Sequence, residues 1–230
     1  MYTSGKITTA VHYLSLTFLL LALPALISCS APTTGSDNAA GVAAVKKPEG
    51  LSKAYFASGC FWCVEAIFES VKGVEEAVSG YSGGQINNPS YKQVSSGQTR
   101  HAEAVEVFYD PEVVSYATLV KVFFGSHDPT TLNRQGPDRG PQYRSAVFYQ
   151  NEEEKTIVEN YIKELEANNT FANSIVTEVL PFKKFWDAED YHQNYERLNP
   201  NISYIQAVSI PRLKRFQKKF PELLKPTEGH

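Results

Sequence analysis

Cysteine is scarce in this chain: 230 residues contain only Cys29, Cys60 and Cys63. A disulfide between the last two would close a very small loop and add about 2 kcal/mol before strain, so stability is a poor reason for keeping the pair. A zinc site is equally poorly supplied, because a second ligand pair is missing and His101, His127 and His192 show no ligand spacing. Charge of one sign is also lacking. The formal net charge of −3 argues against a protein whose task is to hold nucleic acid through its phosphates. No apolar run approaches the ~20 residues of a spanning helix, no repeat recurs, and the length is too short for two large domains.

What is present begins with a leader. Lys6 supplies a modest positive charge, and Leu14 to Ile27 is a short apolar stretch rich in Leu and Ala. Leu26-Ile27-Ser28-Cys29 follows and resembles a bacterial lipobox. The expectation is a signal peptide over residues 1–28 and a lipid-modified Cys29 that anchors the chain to a membrane of the cell envelope. Ser30 lacks the aspartate retention cue, which by resemblance to Gram-negative lipoproteins implies the outer membrane, facing the periplasm. Residues 29–50 are small and polar, without apolar periodicity, and read as a flexible tether. The folded domain is therefore expected over 51–230.

Within it, short apolar strands alternate with amphipathic helices. Lys53 to Ser58, Val74 to Tyr81, Ala102 to Tyr109, Ser145 to Tyr149 and Ile175 to Leu180 read as strands. Val64, Ile67, Phe68 and Val71 lie on one helical face that ends at Gly73; Ser115 caps a second helix, ended by Gly125. Asn151 with Glu154 resembles a capping box for a third, and Asp187 to Arg197 reads as another helical stretch. Basic residues beyond Ile210, among them Lys214, Arg215, Lys218 and Lys219, form a solvated face or a binding patch. Several connections lack a crossover helix. The prediction is an α+β two-layer sandwich, a central mixed sheet with flanking helices, and not a doubly wound parallel sheet. Ser126 to Gln142 stands out as a long Gly/Pro-interrupted loop of the kind that carries function or is disordered.

The cysteine pair sits where a strand turns into a helix, at Gly59-Cys60-Phe61-Trp62-Cys63. A thiol at a helix N-terminus faces unsatisfied N–H groups, so the Cys60 pKa is expected to fall. Cys63, one turn on, can attack an oxidised Cys60. Spacing alone also admits a thioredoxin-like exchange site, inert buried thiols beside core aromatics, or a thiol-based metal- or protein-binding lipoprotein. Glu103 shares a strand face with Val105 and Val107. If that face is buried, the carboxyl is desolvated and kept protonated as a proton donor; if Glu103 lies at the strand end, it is simply in water.

The run GCFWC followed by Val64-Glu65 resembles the active-site motif of the type A peptide methionine sulfoxide reductases. The resemblance continues through Gly80-Tyr81-Ser82-Gly83-Gly84, Asn88-Pro89-Ser90-Tyr91, His101-Ala102-Glu103, His127-Asp128-Pro129, Asp138-Arg139-Gly140, Gln142-Tyr143-Arg144 and Glu189-Asp190-Tyr191-His192, covering residues 53 to about 200. It implies a ferredoxin-like core and reduction of the S epimer of methionine sulfoxide, free or in proteins. Cys60 would be the nucleophile and Glu103 the acid. Phe61 and Trp62 would take the methyl group, Tyr91 and Tyr143 the sulfoxide oxygen, and Asp138 would support the loop. Neither metal nor organic cofactor is implied; the chain would act as a monomer with a thioredoxin-like reductant. Many members carry Gly where Cys63 stands and place resolving cysteines near the C-terminus. This tail has none, so Cys63 is the only resolving candidate in the chain, against direct reduction of Cys60 by an external thiol.

Overall fold

Runs of Val, Phe, Tyr and Ala with small residues between them pair into a mixed sheet, and a computed structural model describes residues 47–226 of the chain. The leader, Cys29 and most of the expected tether lie outside the described residues. The strands are β1 (Ser52–Ser58), β2 (Val74–Ser82), β3 (Ala102–Tyr109), a minimal hairpin of β4 (Arg134–Gln135) and β5 (Asp138–Arg139), β6 (Ser145–Tyr149), β7 (Glu178–Pro181) and β8 (Phe185–Asp187). Six of them form one sheet in the order β7-β6-β1-β3-β2-β8. Only the β6–β7 pairing is parallel. The helices are α1 (Phe61–Glu69), α2 (Tyr91–Ser95), α3 (Tyr116–Gly125), α4 (Glu152–Ala167), α5 (Tyr195–Leu198) and α6 (Ile210–Lys219). This is the predicted α+β architecture.

Period two on β3 sorts its side chains between two cores. Val105, Val107 and Tyr109 pack with Ile67 and Phe68 of α1, Leu119 and Phe123 of α3 and Val158 of α4. Ala104 and Phe108 point the other way, to Tyr55, Phe148 and Phe185. Tyr55 stacks on Phe182 with ring centroids 3.8 Å apart, so the segment leading into β8 closes that face. Every residue of β3 is therefore buried. The caps follow local chemistry: the Ser115 side chain accepts the Thr118 N–H, and Asn151 accepts that of Glu154. The Glu154 carboxylate takes the Gln150 N–H instead of completing the box at Asn151.

Two expected elements differ. The strand expected over Ile175 to Leu180 begins only at Glu178, where the parallel register with β6 starts. The helix expected over Asp187 to Arg197 is broken into the end of β8, a single 3-10 turn at Asp190–His192 and α5. Burial explains the break. The Gln193 side chain reaches back to the Ser79 backbone and Asn194 takes a left-handed conformation, φ 55°, so helical periodicity is interrupted by contacts with β2.

The turn that carries Cys60 depends on Gly59. Its φ is +93°, and a Cβ there would stand 2.6 Å from Cβ of Gln135, so the long loop packs directly over the turn. Gly59→Ala is expected to lower stability by roughly 1–3 kcal/mol. Adding Gln135→Gly should recover part of that loss, the part due to contact. Urea unfolding of the single and double variants checks this; a neutral Gly59→Ala would contradict it.

Candidate active site

Helix α1 starts without a side-chain cap of its own. Cys60 occupies the N-cap position, and its carbonyl accepts the Val64 N–H at 3.3 Å. A donor that the first turn leaves without an intrahelical partner, the Phe61 N–H, is taken by the Glu103 carboxyl from neighbouring β3, at 3.1 Å. One hydrogen bond thus fastens the cysteine turn to the strand that bears Glu103. Between the two expectations for this residue, water or burial, the structure has burial: Glu103 is 2% exposed. Burial pushes its pKa up to about 8 against the lowering effect of the Phe61 N–H, and nearby Asp138 and Cys63 add to the rise. The group is a neutral acid at pH 7.

Tyr91 and Tyr143 gather round the same point. Burial raises Tyr91 to about 12, and the proximity of Glu103 and Cys60, which ionise before it, adds to the rise. Tyr143 rises for the same reason, with Glu103, Tyr91, Asp138 and Cys60 all close enough to act on it. Both phenols are therefore donors over the whole working range of pH. Tyr91 is held in place through its backbone N–H, which donates to Glu189 at 2.9 Å; the other oxygen of that carboxylate accepts from Tyr81 at 3.0 Å.

Phe61 and Trp62 differ in position. Phe61 is buried among Trp62, Tyr81, Tyr91 and His192, whereas Trp62 is half-buried and stacks on Tyr195 with centroids 3.9 Å apart. The indole N–H donates to Nδ1 of His192 at 3.2 Å, which assigns the ring proton to Nε2. That nitrogen is buried and has no partner among the described residues. Burial lowers the His192 pKa to about 4, so the ring is neutral.

The sulfur pair departs from expectation. A helix N-terminus should lower Cys60, yet burial pushes this thiol up in the substrate-free chain, and interaction with Cys63 and Glu103 adds to the rise. Its neighbour moves the other way. Interaction with the Cys60 thiol lowers Cys63 to about 6 against its own burial, helped by the Arg212 guanidinium and the hydroxyls of Ser209 and Tyr204. Of the two sulfurs, Cys63 is the one whose surroundings favour the thiolate, and Cys60 the one that burial favours as a thiol. Both sulfurs are free and buried.

Asp138 lies at the rim, half-buried, accepting the Tyr204 hydroxyl at 2.7 Å; the same hydroxyl is 4.0 Å from Cys63 Sγ. Burial raises the Asp138 pKa despite that bond. Tyr204, Tyr195, His192 and Arg212 were not singled out for the site from the sequence. His192 and Tyr195 sit in or beside the late matched segment and could have been flagged there. Tyr204 and Arg212 lie beyond it, and only the fold brings them to Cys63. Among the described residues no group of His, Cys, Asp and Glu is arranged to hold a metal ion.

Residues 52–224 match the family described as peptide methionine sulfoxide reductase. The chain is 49% identical over 181 residues to the peptide methionine sulfoxide reductase MsrA 1 of Rhodopirellula baltica, covering 79% of this chain and 93% of the relative. It is 50% identical over 173 residues to the MsrA of Pasteurella multocida, covering 75% of this chain and 98% of the other. Among solved structures, methionine sulfoxide reductase A of Corynebacterium diphtheriae superposes with a TM-score of 0.61 at 36% identity, over 70% of this chain and 81% of that one. Reduced Mxr1 of Saccharomyces cerevisiae gives 0.64 at 34% identity, over 70% and 92%.

The thiolate assignment has a direct check. Absorbance near 240 nm should report one thiolate appearing with a midpoint near pH 6 in the free protein. Cys60→Ala should move that midpoint upward, because the neighbouring thiol no longer supports the charge. An unshifted midpoint in Cys60→Ala would place the thiolate's stabilisation elsewhere.

Proposed function

The chain belongs to the peptide methionine sulfoxide reductase family, and on that premise we propose how its own residues reduce the S epimer of methionine sulfoxide, free or within proteins. The observation that carries this reading is the neutral Glu103 acid, fixed to the Phe61 N–H beside Cys60. The sulfoxide oxygen accepts from Glu103 and from the hydroxyls of Tyr91 and Tyr143, three donors in place before charge develops on that oxygen. The methyl group rests on the apolar surface of Phe61 and Trp62, and Asp138 steadies the rim through Tyr204.

Cys60 Sγ attacks the sulfoxide sulfur as its proton passes to the Cys63 thiolate, and Glu103 protonates the oxygen. Methionine leaves and Cys60 becomes a sulfenic acid. Cys63 then attacks Cys60, water leaves, and a 60–63 disulfide remains. The pair lies on the first turn of α1, so closing it requires local unwinding of that turn. A dithiol reductant of the thioredoxin type returns both sulfurs to the reduced state, since a disulfide is reduced by exchange with a dithiol. No metal or organic cofactor takes part, and the chain works as a monomer. The positive Lys6, the apolar stretch ending in the lipobox-like Leu26-Ile27-Ser28-Cys29 and the small, polar residues after it support a lipid anchor on Cys29, holding the domain at the outer membrane on the periplasmic side.

Two measurements follow. With one equivalent of methionine S-sulfoxide and no reductant, intact mass should fall by two hydrogens and both thiols of the pair should disappear; Cys60→Ser should release no methionine. A persistent sulfenic acid with Cys63 still free would instead favour direct reduction of Cys60 by an outside thiol. Cys29→Ala should move the protein from the membrane to the soluble fraction, and unchanged fractionation would remove the anchor.

A further inference from the structure

Cys63 has a cavity of its own. A space of about 170 Å³ is lined by Cys63, Gly136, Pro137, Ala207, Arg212 and Arg215, between the β4–β5 hairpin and the helical turn before α6. None of Phe61, Trp62, Tyr91, Glu103 or Tyr143 lines it. Its wall on one side is the hairpin, whose Gln135 packs against Gly59. On the other side, Ile205–Ser209 is wound as a wide π-turn, a form that recurs at functional sites.

The charge in this cavity is unusual. Arg212 is 7% exposed, with Nε donating to the Ser126 carbonyl at 2.8 Å and Nη2 to the Ser58 hydroxyl at 3.2 Å. Among the described residues no carboxylate lies within ion-pair distance of it. Its hydrogen bonds go to neutral acceptors, and the Cys63, Asp138 and Glu196 side chains feel its charge without pairing with it, so the guanidinium can favour an anion that arrives or forms beside it. Arg215 adds a second cation at the exposed end, and Asp138, bonded to Tyr204, is the lining's one carboxylate. The balance favours a negative visitor.

We propose that this cavity is the entrance through which the reductant's thiolate reaches Cys63, so that substrate and reductant approach the sulfur pair by different openings. The inference rests on the 60–63 disulfide of the proposed cycle. The incoming thiolate forms a bond to Cys63 Sγ, the 60–63 bond breaks, and its electron pair stays on Cys60 Sγ. The reductant's second thiol then attacks its own sulfur in the mixed disulfide. It leaves as an intramolecular disulfide, its proton passes to Cys60, and Cys63 is released as thiolate. Two electrons have moved from dithiol to disulfide, and the products are the resting thiol at 60 and thiolate at 63. Arg212 and Arg215 attract the attacking thiolate, and Arg212 also stabilises the sulfur released at the end.

The experiment uses the full chain, oxidised by one turnover, with intact mass read before any thiol is added. It is then reduced by 2-mercaptoethanesulfonate, an anion, or by cysteamine, a cation, at equal thiolate concentration and low salt. The anionic thiol should react about tenfold faster, the lower range of charge steering. Arg215→Glu should reverse the preference, whereas Lys218→Glu, exposed on the same helix and outside the cavity, should keep it. Acid-quenched peptide mapping should find the first adduct on Cys63. An adduct on Cys60, or the same preference in Arg215→Glu as in the parent, would overturn the entrance while leaving the disulfide standing. Absence of a 60–63 disulfide before reductant is added would overturn both.

Discussion

A single hydrogen bond joins the two halves of the chemistry: the Phe61 N–H donates to the Glu103 carboxyl at 3.1 Å. It ends the backbone of α1 where no local side chain caps it, and it orients the buried acid of the site. The bond is possible because Gly59 turns with a positive φ and because β3 lies in the middle of the sheet, with β1 and β2 on its flanks. A helix N-terminus ordinarily favours a charged carboxylate. Here complete burial outweighs that preference and leaves the group neutral near pH 7. The same burial favours the thiol at Cys60, so of the pair Cys63, which shares a cavity with Arg212, is the sulfur disposed to carry negative charge. Acid and nucleophile therefore occupy one desolvated space without two charges opposing each other.

Around that bond the fold supplies rigidity from distant stretches of chain. The Glu65 carboxyl, one turn beyond Cys63's neighbour Trp62, accepts from the Ser79 hydroxyl and the Asn194 N–H, which ties α1 to β2 and to the segment bearing His192 and Tyr195. Tyr195 lies flat on Trp62 and His192 accepts its indole N–H, so the one half-exposed aromatic of the motif is held from both sides. An apolar wall for a methyl group needs this support, because a rotating indole would offer no fixed surface.

Much of the fold was legible in the sequence where local chemistry and burial agree. Val105 and Val107 alternate as a strand should, Ser115 starts a helix by capping it, and the mixed sheet follows from the spacing of such segments. Legibility ended where tertiary contacts decide the backbone. The stretch from Asp187 to Arg197 carries helical spacing, yet Gln193 is bonded to Ser79 and the helix breaks. The site divides in the same way. Cys60, Cys63 and Glu103 announced themselves by residue type, while Tyr204 and Arg212 are an ordinary aromatic and an ordinary cation until the π-turn and α6 bring them to Cys63. The expected direction of the Cys60 pKa failed for a related reason: the helix terminus is local, whereas the burial that outweighs it comes from the whole domain.

The central claim is that a neutral Glu103 acid works beside an anionic sulfur pair, which confines activity to the pH range in which both forms exist. The charge on the pair is lost as pH falls through about 6, and the proton on Glu103 is lost as pH rises through about 8. The pH dependence of kcat/KM for methionine S-sulfoxide should therefore be bell-shaped between those limits in the parent chain. Glu103→Gln should be slower by about 10²–10⁴ and should lose the alkaline limb while keeping the acid one. An alkaline limb unchanged in Glu103→Gln, or a fully active variant, would contradict the account.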